Sequence, residues 1–403
     1  MTTKKKNSQL KIGLVVPHIF MHSTLLPHVI FSPGSQALAL AEGLQTIGAS
    51  VTLLTPGPIT TSVNNLTADL SYFEKELAIR GDSYLDLLKK HPFTFVTLAR
   101  QVQAELIATA YRLANAGEFD IIHIYTNEED IALPFAEFCR VPVVFTHHDP
   151  FNFLVKYKSV FPKYAHLNWL SMSYAQRKGM PEDTHWVGNI YHGLSEAALQ
   201  PQYQPANDYV AYLGRIIESK GVHLAIEAVK HYNRTTRQPI KLKIAGKHYA
   251  GHKKDAYWHE NIEPALNETI EYVGFIKNNA EKQAFLGNAK ALLVPSTFDE
   301  PFGMVMIEAL ACGTPVIGLS SGAIPEVITP HKTGYVVQKA FKMNQKSNWV
   351  IDEPATAELI AQALDNIDKI SRRQCRQAFE HRFTLRRMCQ EHMKVYRNLL
   401  LAT

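Results

Sequence analysis

Short apolar runs alternate with amphipathic stretches along this chain, and the alternation restarts after a break. That pattern constrains the fold more than any single motif. Residues 11–16 read as a strand. Residues 35–47 read as a helix, with Ala37, Leu38, Leu40, Ala41 and Leu44 spaced for one face. Gly48 ends that helix and residues 50–54 form the next strand, which completes a βαβ unit. Residues 121–125 and 141–146 are near-continuously apolar, as strands of a parallel sheet covered on both faces are. Residues 130–138 between them are expected to be helical, and 85–115 largely so. The stretch PQYQPAND at 201–208 has no apolar periodicity and reads as a linker. Strands are then expected at 209–213, 241–245, 271–273, 291–294 and 315–318, with a helix at 222–230. The fold class is α/β: two doubly wound Rossmann-like domains facing across a cleft. Ligands in such sheets bind beyond the carboxyl ends of the strands, here at Pro17, Thr146, Gly214, Gly246, Gly274 and Pro295.

A chain of 403 residues is long enough for two cores. Its 46% hydrophobic and 20% charged residues suit a globular enzyme rather than a disordered chain. A net charge of +5 at this length does not supply the concentrated basic surface that nucleic acid requires. Cys139, Cys312, Cys375 and Cys389 form no CxxC pair and read as free buried thiols of a reducing cytoplasm. The start shows no apolar stretch long enough to be expected to act as an export signal, and no window approaches the ~20 apolar residues of a membrane span. The basic start, MTTKKKNSQL, reads as a solvated terminus. Weak peripheral contact with anionic lipid at the inner membrane face is its other reading.

The chemistry-bearing residues follow predicted strands. In TFDEPFGMVMIEALACG at 297–313, Glu300 and Glu308 are separated by seven residues. Either Asp299 or Glu300 could cap a helix beginning at Pro301. Glu308 lies among apolar residues, so its carboxylate needs an internal cation or a ligand hydroxyl as partner. In LGRIIESKG, Arg215 and Lys220 flank a strand end and suit a diphosphate: one is a fork of donors, the other a point charge. Thr146-His147-His148-Asp149-Pro150 brings ligand types to a strand end. Neighbouring residues there point to opposite faces, so no metal site is expected. Gly34, in Ser32-Pro33-Gly34-Ser35, stands before the predicted helix, where backbone N–H groups can meet an anion. There is no GxGxxG, Walker A loop, GxSxG elbow, HExxH pair or DxD.

With these residues in view, the chain resembles a family 4 glycosyltransferase of the GT-B fold. The resemblance rests on YLGRIIESKG, KIAGKH, YVGFI, ALLVPSTFDEPFGMVMIEALACGTPVIG and GAIPEVI with KTGYVV, in that order. The first half is similar but looser: Ser171 to Arg177 matches a serine-containing segment, and His192 stands where asparagine is usual. Pro33 stands where the family often has the first of two glycines. The resemblance implies an acceptor-binding domain at 1–200, a linker at 201–208, a nucleotide-sugar-binding domain at 209–381 and a crossover helix at 382–403 returning to the first domain. It implies that Arg215 and Lys220 hold the diphosphate and that Glu300 bonds the sugar hydroxyls. Pro301, Phe302, Gly303 and Met304 would line the donor, together with Gly34, Gly214 and Gly246. Glu308 would bond the ribose, and Gly274, Phe275 and Ile276 would lie against the base. His148 is the histidine matched to the reaction centre, with His147 and Asp149 beside it as second choices.

The implied reaction is transfer of a sugar from a nucleoside diphosphate sugar with retention, by a front-face mechanism, without cofactor or metal. UDP-glucose is the first expectation for the donor and GDP-mannose the second. The acceptor, a sugar, lipid or small molecule, is not legible. Residues 20–31 are apolar and read as core or cleft wall. Two other readings stand beside this one: a GT-B epimerase or phosphorylase, and a non-catalytic nucleotide-sugar-binding protein.

Overall fold

The computed structural model describes residues 9–25, 29, 31–125, 128–206, 208–248 and 255–402. They form two compact units. The first comprises the described residues up to Met172, then Arg177–Tyr191, and those from Leu385 onward. The second comprises Ser173–Gln176 and His192–Thr384.

The first unit is a seven-stranded parallel sheet. Its strands are β1 (Lys11–Val15), β2 (Ser50–Thr55), β3 (Asn64–Thr67), β4 (Ile121–Tyr125), β5 (Val143–Thr146), β6 (Asn168–Ser171) and β7 (Trp186–Asn189), in the order β3-β2-β1-β4-β5-β6-β7. Every residue of β4 and β5 is buried, His123 and Thr146 included, as their near-continuous apolar character leads one to expect. The first helix, α1 (Ser32–Thr46), begins three residues before the expected start. Pro33 is suited to a first turn, where its missing N–H costs nothing. Gly34 therefore lies inside the helix and not in a loop before it. A Cβ there would come within 2.4 Å of the Met21 sulfur and 2.6 Å of the Phe31 ring, so close packing explains this glycine. In segment 20–31 the apolar Met21, Leu25 and Phe31 are buried in the core, Ser23 and Thr24 are exposed, and residues 26–28 and 30 lie outside the described residues.

Helix α2 (Ser71–Arg80) was not legible from the pattern. The long helix expected at 85–115 is two, α3 (Tyr84–Lys90) and α4 (Pro92–Asn115). Pro92 pushes His91 out of helical geometry and restarts the helix. The stretch expected as a helix at 130–138 is instead two 3-10 turns, Glu129–Ile131 and Leu133–Phe138, the second with Pro134 in its first turn. Helix α5 (Val155–Val160) follows β5.

The C-terminal helix, Leu385–Ala402, packs on α1 within this unit, and the Cys389 sulfur occupies the space beside Gly43. It also reaches the sheet. The fully buried His123 of β4 shares hydrogen bonds with the Tyr396 hydroxyl (2.7 Å) and with Oγ1 of Thr146 (2.8 Å). His392 bonds the Met388 carbonyl (2.8 Å) and lies 5.7 Å, ring to ring, from His123.

The second unit has a six-stranded parallel sheet of β8 (Tyr209–Leu213), β9 (Lys241–Ala245), β10 (Ile270–Gly274), β11 (Leu292–Val294), β12 (Val316–Leu319) and β13 (Gly334–Val337). The order is β10-β9-β8-β11-β12-β13. A separate hairpin, β14 (Phe341–Met343) and β15 (Trp349–Ile351), follows. The helices are α6 (Val222–Thr235), α7 (Asn279–Gly287), α8 (Met304–Ala311), α9 (Ile324–Val327), α10 (Glu353–Asp365) and α11 (Arg372–Arg382). The described part of segment 201–208 lies within this unit: the Gln202 N–H bonds the Cys312 carbonyl, and Arg372 donates to the Gln202 carbonyl at 2.6 Å. No helix among the described residues is long and apolar enough to cross a membrane. All four cysteines are free. Burial pushes the thiols of Cys312, Cys375 and Cys389 up to about 12, whereas Cys139 is only half-buried.

Burial holds His147 and His392 down to about 4 and His123 well below its usual range. An unfolded histidine takes up its proton near pH 6.5, so between that value and about 4 the unfolded chain binds more protons than the folded one. Stability is therefore full above pH 6.5 and falls as pH drops through this window, by roughly 1.4 kcal/mol per pH unit per histidine. Urea unfolding at pH 7 and pH 5 tests this. The midpoint should be lower at pH 5, and His392→Leu should reduce the difference.

Candidate functional site

In the second sheet the strand order reverses between β8 and β11. The loops after these two neighbouring strands leave the same edge, where a doubly wound sheet binds its ligands. Three contacts join them. The Thr297 N–H bonds the Ser219 carbonyl at 2.9 Å, and the Thr297 hydroxyl reaches the same oxygen at 3.2 Å. Gly221 has φ +71°, and a Cβ there would lie 2.0 Å from the Pro295 carbonyl oxygen. Only glycine satisfies both the backbone angle and the approach.

This closeness brings Lys220 to Glu300. The Lys220 ammonium donates to Glu300 Oε1 at 2.5 Å, and the Ser296 hydroxyl donates to the same oxygen at 2.6 Å. The Lys220 ammonium also lies 4.6 Å from the centre of the Phe298 ring. Glu300 is buried, so the lysine supplies the charge its carboxylate needs. Oε2 takes no hydrogen bond among the described residues, which leaves one carboxylate oxygen for a ligand. Behind the loop, Gly322 has φ +52°, and a Cβ there would lie 2.3 Å from both the Glu300 nitrogen and its carbonyl oxygen. The adjacent Ala323 N–H bonds that carbonyl at 2.8 Å.

Glu300 does not cap a helix. Helix α8 starts only at Met304, with Gly303 before it, and Pro301 lies outside. Phe302 turns its ring into the protein, against His192 at 5.1 Å and Phe383 at 6.1 Å, so its backbone alone is available to a ligand. His192 is buried there. The Pro301 carbonyl accepts a hydrogen bond from Ser173 at 2.7 Å. Along α8 every residue from Met306 to Ala311 is buried, Glu308 included. Glu308 has the internal cation its position demands: Lys282 of α7 donates to Oε1 at 2.6 Å.

Arg215 is exposed beyond the end of β8, and its carbonyl accepts from the Tyr212 hydroxyl at 2.8 Å. Gly214 and Gly246 follow β8 and β9, and a Cβ on Gly246 would meet the Gly214 carbonyl oxygen at 1.8 Å. Gly274 ends β10. Phe275 is exposed beneath the Lys247 ammonium, 4.3 Å away, and Ile276 is half-buried.

The first unit gives His147 and His148 different surroundings. His147 is fully buried among Phe151, Tyr157 and Phe161, with ring centres at 4.4–5.0 Å. His148 is half-buried, 4.4 Å from the Tyr125 ring. Asp149 is half-buried and accepts from the Tyr157 hydroxyl at 3.2 Å. Among the described residues, no three His, Cys, Asp or Glu side chains gather into a cluster that could hold a metal ion.

Ser296, Gly322 and Lys282 were not singled out from the sequence. Ser296 lies four residues before Glu300, but nothing in its spacing marks it as a partner. Lys282 precedes Glu308 by 26 residues on another helix, and no periodicity connects them.

Residues 200–377 match the family described as glycosyl transferases group 1. A glycogen synthase of Mycobacterium tuberculosis is 32% identical over 169 residues, which is 41% of this chain and 39% of the relative. The chain thus spans about two-fifths of that relative's length. Over nearly the whole chain the likeness is to solved structures. Sucrose-phosphate synthase of Thermosynechococcus elongatus has a TM-score of 0.68 at 18% identity, covering 98% of this chain and all of that one. Anabaena HepE in complex with UDP-glucose has 0.64 at 15% identity, covering 97% and 100%. The fold is that of these proteins: α/β, with the two Rossmann-like domains of GT-B.

Gly322→Ala should lower stability by about 1–3 kcal/mol, from the left-handed backbone angle and the contact with Glu300. Urea denaturation checks this. A variant as stable as the parent would show that the Glu300 loop is not braced from behind.

Proposed function

We propose that this protein is a glycosyltransferase that moves a sugar from a nucleoside diphosphate sugar to an acceptor. The observation that carries the proposal is the meeting of Lys220 and Glu300 at the switch point, with Glu308 following on α8. A cation beside a half-free carboxylate suits a ligand that is anionic at one end and rich in hydroxyls at the other. A sugar diphosphate is such a ligand. The match of residues 200–377 supports this reading.

In this proposal Lys220 and Arg215 take the diphosphate, and Glu300 accepts from hydroxyls of the transferred sugar through Oε2. The backbone from Pro301 to Met304 follows the sugar and phosphate. Glu308 accepts from the ribose, and Gly274, Phe275 and Ile276 flank the base. Gly214 and Gly246 keep the strand ends free of side chains. Gly34 would act through the α1 backbone. In the first unit, His148 rather than His147 is assigned to substrate, because His147 is enclosed by aromatic rings.

The barrier lies in breaking the bond between the anomeric carbon and the leaving phosphate oxygen. The charge appearing on that oxygen is stabilised by Lys220 and Arg215, fixed in place before reaction. No metal is needed for that neutralisation. Hydrolytic retention uses a carboxylate nucleophile beside an acid. Lys220 and Ser296 hold Glu300 by Oε1, which supports a hydroxyl-binding role for it rather than a nucleophile's. A front-face transfer follows: the acceptor oxygen bonds the anomeric carbon on the face the phosphate leaves, and the departing phosphate oxygen takes the acceptor's proton. UDP-glucose is the first donor to test and GDP-mannose the second. HepE is named as a complex with UDP-glucose, which supports that order.

A thermal-shift screen with UDP, GDP and ADP tests the reading first. The correct nucleotide should raise Tm by about the amount that mass action dictates. Lys220→Ala and Glu300→Gln should each cut turnover at least ~100-fold. Their combined loss should be less than additive, because they form one bonded pair. Wild-type turnover in Lys220→Ala would remove the diphosphate assignment. A covalent sugar trapped on Glu300 or Asp149 would exclude the front-face route.

A further inference from the structure

We infer that Lys282 is a positioning residue for the nucleoside, holding Glu308 so that its carboxylate meets the ribose hydroxyls. The inference rests on the nucleotide-sugar reading of this site.

Glu308 is buried in an apolar helix, and its Oε1 bonds the Lys282 ammonium at 2.6 Å. No other side chain among the described residues bonds the Glu308 carboxylate. The single ion pair therefore both balances its charge and sets its rotamer. Oε2 accepts nothing among the described residues, and Oε1 has a second lone pair to offer. A carboxylate with one oxygen pinned and one open is a receiver for two adjacent hydroxyls.

Lys282 also connects this acid to the segment assigned to the base. Helix α7 starts at Asn279, directly after Gly274–Asn278. That segment is fastened at both ends. The Gly274 carbonyl accepts from the Gly246 N–H at 2.9 Å. The Lys277 N–H donates to Glu281 at 2.9 Å, and Asn278 caps α7 by accepting from the Glu281 N–H, also at 2.9 Å. The segment and α7 thus form one piece, and the Lys282–Glu308 pair joins that piece to α8. The spacing between a base on Phe275–Ile276 and a ribose on Glu308 is set through Lys282. Without the lysine, the buried carboxylate would lose the one cation that holds its rotamer and would turn toward solvent. That change removes its acceptance of the ribose hydroxyls.

The test compares a nucleoside diphosphate with its 2′-deoxy analogue by calorimetry. The probe is whichever of UDP, GDP and ADP raises Tm most. Wild type should prefer the ribose form by at least ~10-fold, the size of one hydrogen bond to a charged group. Lys282→Met should reduce that preference below ~3-fold, and Lys282→Arg should restore it. Lys282→Gln replaces the methionine variant if that one does not fold, and the same loss is expected. A Lys282→Met protein that binds both forms more weakly but keeps the ratio would show a merely structural lysine and overturn the inference. Unchanged binding of both forms would overturn it too. If wild type binds none of the three nucleotides, the nucleotide reading of the site falls and takes this inference with it.

Discussion

The Lys220–Glu300 ion pair is the contact on which the candidate site depends. The two residues are eighty positions apart and meet only because β8 and β11 are neighbours where the sheet order reverses. A parallel sheet sends all its carboxyl-end loops to one edge, and the reversal leaves two of them side by side. Close backbone approach then does the rest. Gly221 lies against Pro295, Thr297 is bonded to Ser219, and Gly322 presses on the Glu300 backbone. The carboxylate is therefore fixed by backbone geometry as well as by its lysine.

Glu300 and Glu308 solve the same physical problem in the same way. Each is a buried carboxylate whose desolvation would be costly alone, and each receives one lysine on Oε1 from a different element. Such pairs contribute little net stability, since desolvation consumes most of the attraction. What they supply is direction. A bonded Oε1 fixes where Oε2 points, and under the proposed function the site would need such fixed acceptors more than it needs affinity.

The first unit places its polar groups differently. His123, His147 and His392 are enclosed and held neutral by burial, and His123 joins β4 to β5 and the C-terminal helix. The last stretch of chain is thereby built into the first sheet's core. His148, one residue beyond the enclosed His147, is half-buried against the Tyr125 ring. The two neighbours thus meet different rings, His147 those of Phe151, Tyr157 and Phe161, and His148 that of Tyr125.

Much of this protein was legible in its sequence. Near-continuous apolar runs at β4 and β5 declared parallel strands, and the restarted alternation declared a second sheet. The run from Thr297 to Gly313 declared two acids by a helix. Strand β3 was not legible, because NNLT sits at a sheet edge with no buried face to impose alternation. Helix starts at Ser32 and Met304 were misplaced by three residues, since proline and glycine mark a turn without saying which side of it the helix lies on. The sequence by itself determined which residue types stand at strand ends, because period and punctuation are local properties. Only the tertiary structure decided their partners: Lys220 with Glu300, Lys282 with Glu308, Ser296 on the shared oxygen, His147 among three aromatic rings and His148 against Tyr125. Those pairings depend on strand order and helix packing, which join residues that no local pattern connects.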